Sequence, residues 1–275
     1  MNNVVEFYTD HLGRERRLNS GPSAGNKLSV VKEWSKSGNA IIPKETWFDI
    51  TRRDLFEDED WIFEVKETGS SAACIFAGAI RTARALAGCI DVKLSPGCLQ
   101  VQGNMTSTPF TDFSDITNIS NCIGTLPFSD FGDVGFFLSD LPNNWLEKAL
   151  NYKFDRLYRC TSFEDLVSGL LCGGIAVYNY RVGMCYEKFD QYGVAGHDYG
   201  DSNHCGYADG LTRLPDGRWV LDTVNCFSHK WGPFNNGRCY IDEHHLFGKD
   251  GIPDVVVGFV NYQAAEKQNE IPKAG

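Results

Sequence analysis

At residue 174 the rhythm of the sequence changes. Upstream, apolar residues recur at helical spacing; downstream come "GIAVYNYRV", "HCGYADGLTRL", "RWVLDTVN" and "DVVVGFVNY", short runs rich in β-branched and aromatic residues. The middle pair is joined by "LPDGRW", whose Pro215 and Gly217 supply hairpin turn chemistry. A chain that is helical first and antiparallel β second is predicted to be α+β with two unlike halves, and clefts between such halves favour a site.

Upstream, Phe76, Ile80, Ala83 and Ala87 recur at i, i+4, i+7 and i+11 after Cys74, while Arg81 and Arg84 fall on another face. Residues 74 to about 88 are therefore predicted to form an amphipathic helix with Cys74 in its first turn. Residues 99–140, rich in Thr, Ser, Asp, Asn and Gly, are predicted to be long loops with short elements. Further helices are expected around "NNWLEKALNY" and "SFEDLVSGLLCG", the latter with Ser162 as N-cap and Gly173 as stop. The chain divides into an extension over 1–40, a helical lobe over 41–150, a β lobe over 151–262 and a tail over 263–275.

Several functions are excluded on composition. A net charge of -10 lacks the basic field that nucleic acid or an acidic membrane would require. No run approaches the roughly eighteen apolar residues of a membrane helix. The start, "MNNVVEFYTDHLGRERR", turns charged where a signal peptide would carry its apolar core. The ten cysteines show no CxxC pair of the zinc-closing kind, so no metal site and no cofactor are expected. They are expected to be mostly reduced, buried thiols, Cys205 and Cys226 included, in a cytoplasmic or other reducing compartment.

Cys74 by itself is an ordinary core thiol. A nucleophilic cysteine needs its pKa lowered from about 8.5, by a helix N-terminus or a neighbouring imidazole. The small residues "GSSAA" before it would let a carbonyl approach backbone N–H groups. Among the six histidines, His204 opens one hairpin strand and Asn225 closes the other, so strand pairing sets an imidazole beside an amide oxygen that can orient it. His197 falls in the loop before that strand, His229 follows Asn225 closely, and His244 with His245 reads as a solvated turn. Trp231 reads as a packing residue.

With these residues assembled, the chain resembles the papain family of cysteine proteases over roughly residues 41 to 262. "VKETGSSAAC" resembles the family's nucleophile segment, "NHCGYADG" its histidine strand and "NCFSHKWGPFNNGRCYI" its asparagine segment with the later tryptophan-glycine; "NCIGTLP" resembles its glycine-rich cleft wall. The resemblance implies a two-lobed fold, a helical lobe followed by an antiparallel β-barrel-like lobe. It assigns Cys74, His204 and Asn225 as nucleophile, base and orienter, Thr68 to the oxyanion, and Gly124, Asn203 and Phe227 to the substrate cleft, with a polypeptide as substrate.

The departures matter too. Thr68 stands where the family has a glutamine, Ser71 where it has a disulfide cysteine, Ile75 and Phe227 where it has tryptophans, and the extension is short for its inhibitory prosegment. A papain-fold structural or binding protein with weak or lost activity is the rival expectation.

Overall fold

The computed structural model describes residues 31–53, 55–56, 70–106, 113–133, 137–200, 202–247 and 254–261, and the strand backbone of 6–9 and 15–18. In chain order the elements are β1 (Glu6–Thr9), β2 (Glu15–Leu18), α1 (Ser71–Leu86), α2 (Pro96–Thr106), α3 (Phe113–Cys122), α4 (Phe128–Phe131), α5 (Trp145–Ala149), β3 (Arg156–Arg159), α6 (Phe163–Leu171), β4 (Ile175–Tyr180), β5 (His204–Arg213), β6 (Trp219–Val224), β7 (Arg238–Ile241), α7 (Glu243–Phe247) and β8 (Val255–Phe259). β1 and β2 pair as a ribbon of their own.

The other six strands form one antiparallel sheet in the order β3-β8-β4-β5-β6-β7. Among the described residues its two edge strands do not pair, so the β half is an open sheet and only loosely the barrel-like lobe that the resemblance implied. The β5–β6 hairpin turns where expected, with Gly217 at φ 90° and a bulge between Ala208 and Gly210. Residues within the predicted extension dock on this half: the Trp34 N–H donates to the Arg159 carbonyl, and the Trp34 ring is buried against Tyr158 and Phe259.

α1 begins at Ser70, whose hydroxyl accepts from the Ala73 N–H. It is not amphipathic in use: every residue from Ser71 to Arg84 is buried. The two arginines lose water without losing partners. Arg81 holds both carboxylate oxygens of Asp91 and lies over the Phe56 ring, while Arg84 donates to the Asn151 carbonyl and covers the Tyr152 ring. α6 starts and stops as predicted, with the Ser162 hydroxyl accepting from the Asp165 N–H and Gly173 at φ 89°.

The expectation of long loops over 99–140 fails at α2 and α3. Phe113, Ile116 and Ile119 turn one face of α3 into the core, and its hydroxyls bond back into the helix, Thr117 to the Phe113 carbonyl and Ser120 to the Thr117 carbonyl. Polar composition gave the appearance of loop, but local side-chain bonds satisfied the polarity without leaving the helix.

The helical half packs on the sheet through α1 and β5. A Cβ on Gly78 would sit 3.1 Å from the Tyr207 ring, and the Thr82 hydroxyl lies 3.3 Å from that tyrosine's hydroxyl. Cys74, Gly78 and Thr82 are spaced i, i+4, i+8, so Cys74 lies on the stripe of α1 that faces β5.

Candidate active site

His204 is the first residue of β5 and is fully buried. Its Nε2 lies 3.0 Å from Asn225 Oδ1, just past the end of β6. An amide oxygen can only accept, so Nε2 carries the proton and Nδ1 of the neutral ring keeps its lone pair. Nδ1 has no hydrogen-bond partner among the described residues. Burial pushes the His204 pKa down to about 4, against the pull of the Asn225 bond, so the ring is neutral at pH 7.

Which way the Asn225 amide points is set by a neighbour the sequence gave no sign of. Asn225 Nδ2 donates to the Tyr186 hydroxyl at 3.3 Å, and that hydroxyl also accepts from Tyr180 at 2.7 Å. With two donors on its oxygen, Tyr186 directs its own proton to the Cys239 sulfur, 3.5 Å away. Tyr186 belongs to the loop between β4 and β5, and Asp198 holds that loop by accepting from the N–H groups of Gly183, Cys185 and Tyr186. A loop tyrosine carries no periodic signal, which is why pattern reading passed over Tyr186.

Phe227 covers the imidazole, with ring centroids 4.5 Å apart. Behind it stands Trp231, fully buried, in edge contact with Phe227 and stacked on Tyr186, with its indole N–H given to Glu187. Asn203 is buried and clamps the chain after β4: its side chain accepts from the Val182 N–H and donates to the Val182 carbonyl. Gly124, at φ 91°, ends α3. Its N–H goes to the Ile119 carbonyl and its carbonyl accepts from Gln102, so both backbone groups are already bonded within the protein.

Cys74 is 5% exposed and sits one turn inside α1, where its N–H closes on the Ser70 carbonyl at 3.1 Å. That N–H is engaged in the helix and so is not one of the free backbone N–H groups that the small residues before it were expected to offer a carbonyl. The structure therefore brings His204 and Asn225 together and sets Phe227 over them, and Cys74 makes no hydrogen bond to His204 Nδ1. Thr68 lies outside the described residues. All ten cysteines are free thiols; Cys122 and Cys172 are exposed and Cys205 and Cys226 buried.

Of the remaining histidines, His197 is bonded to Asp242 and takes no part in this cluster. The solvated-turn expectation fails for His245, whose side chain is 3% exposed because its ring fills the space beneath the loop at Gly196.

The fold has known counterparts over most of the chain. Xylellain, a cysteine protease from Xylella fastidiosa, superposes with a TM-score of 0.67 over 94% of this chain and 98% of its own, at 13% identity. The fold is that of the papain-like cysteine proteases. The ragweed cysteine protease Amb a 11 in its proform matches at a TM-score of 0.61 and 15% identity, covering 89% of this chain and 75% of its own. The digestive procathepsin L 3 of Tenebrio molitor matches at 0.59 and 16%, covering 88% and 77%. Neither a protein-family model nor any curated protein matches the sequence, so the chain is a divergent carrier of this papain-like fold. Among the described residues, no helix is long and apolar enough to cross a membrane.

Proposed function

We propose that the chain is a papain-like cysteine peptidase acting through Cys74, His204 and Asn225. The observation that carries this reading is the His204–Asn225 pair, which fixes the tautomer that leaves the Nδ1 lone pair unused in a buried, apolar setting. A neutral imidazole with a bare ring nitrogen is the state a general base needs. In the proposed reaction His204 takes the Cys74 proton as the sulfur attacks an amide carbonyl. The imidazolium, held by Asn225, then protonates the leaving amine, and water activated by the same nitrogen releases the acyl group. Thr68 is the proposed side-chain donor to the oxyanion. Phe227 shields the His204–Asn225 bond, and Asn203 and Gly124 shape the cleft by holding their backbones. Both reacting groups are nearly or fully buried, so a polypeptide reaches them only after their surroundings open.

The test is alkylation with iodoacetamide at pH 6, with the adduct located by mass spectrometry. At that pH an ordinary thiol is almost wholly protonated, and exposure alone would favour Cys122 and Cys172. Selective modification of Cys74, lost in His204→Ala, supports the reading. Labelling that follows exposure sinks it and favours the rival, a papain-fold binding protein without turnover.

A further inference from the structure

The loop before β5 and the helix after β7 bring together three groups that the peptidase chemistry does not use. His197 Nε2 lies 2.9 Å from Asp242 Oδ1, and His245 Nδ1 lies 3.2 Å from the same oxygen. The ligand atoms of His197, Asp242 and His245 all fall within 4.8 Å of one another. We propose that these three side chains form a divalent-cation site of the zinc class, one that ties the β4–β5 loop to the edge of the sheet.

The argument starts from protons. His245 Nε2 lies 3.2 Å from the Gly196 carbonyl, which can only accept, so Nε2 carries a hydrogen. In a neutral ring Nδ1 is then a lone pair, and it faces a carboxylate oxygen, acceptor against acceptor. Two arrangements relieve this: a second proton on His245, or a metal ion shared between the lone pair and the carboxylate. The metal arrangement also takes up His197 Nε2, 2.9 Å from the same oxygen, and it uses His245 with its far nitrogen tethered to a backbone carbonyl, the usual support of a histidine ligand.

Charge and shape agree. Arg218, 3.8 Å from the other Asp242 oxygen, is matched by its bonds to Asp190 and Asp216, which leaves the corner with three carboxylates and one guanidinium. The His244 ring stands 5.7 Å from that of His197 and adds no carboxylate. Two imidazoles and one carboxylate leave one tetrahedral position for water. The oxygen-to-nitrogen distances already approach the roughly 3.4 Å edge of a tetrahedron with bonds of about 2.0–2.1 Å. His197, partly exposed on its loop, supplies the remaining adjustment. The ion would then cross-link the loop that carries Tyr186 and Asp198, the residues that orient Asn225, to the end of β7.

The experiment titrates full-length protein, stripped with a chelator, with Zn2+ by calorimetry and with Co2+ by absorbance. Expected are one ion per chain, a rise in melting temperature with Zn2+, and a cobalt spectrum without a thiolate charge-transfer band. His197→Gln and Asp242→Asn should each weaken binding by at least about tenfold and abolish the thermal shift. No saturable site, a thiolate band, or affinity unchanged in both variants would overturn the proposal. His197→Gln keeps the test sound should Asp242→Asn fail to fold, because its side chain is the most exposed of the three.

Discussion

The Asn225 amide stands between two partners, its oxygen 3.0 Å from His204 Nε2 and its nitrogen 3.3 Å from the Tyr186 hydroxyl, so the tyrosine fixes which end of the amide the imidazole meets. If this relay positions the base, its loss should show in the rate at which Cys74 is alkylated, without any knowledge of the substrate. Asn225→Ala should lower that rate by at least about tenfold, less than the roughly hundredfold or more expected for loss of the base itself. Tyr186→Phe removes the bond that orients Asn225, worth about 1 kcal/mol, along with those to Tyr180 and Cys239, and should lower it roughly fivefold. Rates are to be followed from pH 5 to pH 8, because a packing defect alone would leave the shape of the pH profile unchanged. Equal rates and equal profiles in both variants would remove Asn225 from the proposed site.

The buried His204 also makes stability depend on pH. Its folded pKa, pushed down to about 4, lies below the ordinary 6.5, so between these values the unfolded chain binds a proton that the folded chain refuses. The contribution is complete above pH 6.5 and is lost as pH falls towards 4. For this fully buried ring it amounts to about 2 kcal/mol between pH 7 and pH 5. Urea unfolding at both values should show that loss in the wild type and a smaller one in His204→Gln. A wild type that is more stable at pH 5 than at pH 7 would mean that His204 is held as an imidazolium, against the effect of its burial.

How much of this was legible in the sequence varied with the physics of each element. α6 announced itself through Ser162, a helical run and Gly173, all local signals, and β5–β6 through its turn and strand residues. The turn brings the start of β5 and the end of β6 to the same end of the sheet, but the contact of His204 with Asn225 is not a register pair and lies beyond a bulge between Ala208 and Gly210 that the turn does not announce. α2 and α3 could not be read in advance, since their polar residues are satisfied by contacts that composition does not reveal. Nor could the burial of Arg81 and Arg84, which depends on Asp91 and Asn151 arriving from elsewhere in the chain. His245 was misread for the same reason: a neighbouring histidine says nothing about the loop that covers it.

Beneath the site, three strands are held by a buried ionic group. Arg238 on β7 makes a bidentate pair with Asp209 on β5, at 2.8 and 2.9 Å, and lies 3.3 Å from Asp222 on β6, itself bonded to Arg53. Both Arg238 and Asp209 side chains are 2% exposed, so removing one leaves an uncompensated charge in the interior. Arg238→Met should cost about 3–5 kcal/mol by urea unfolding. Arg238→Lys keeps the charge but not the fork and should fall between. Arg238→Met combined with Asp209→Asn should recover part of the loss. A double variant as unstable as the sum of the singles would show that the two side chains do not act as a pair.

Gly124 separates a structural role from a cleft role. Its φ of 91° is one that an L side chain adopts with strain, and a Cβ there would run into the carbonyls of Ala149 and Tyr152. Gly124→Ala should therefore destabilise the protein by at least about 2 kcal/mol in urea, combining the backbone strain with the displaced α5 end. Because the Gly124 N–H and carbonyl are bonded to Ile119 and Gln102, peptide KM should change little at temperatures where the variant remains folded. A large rise in KM with unchanged stability would reverse this assignment: Gly124 would then meet the substrate directly, and the end of α3 would have to open to let it do so.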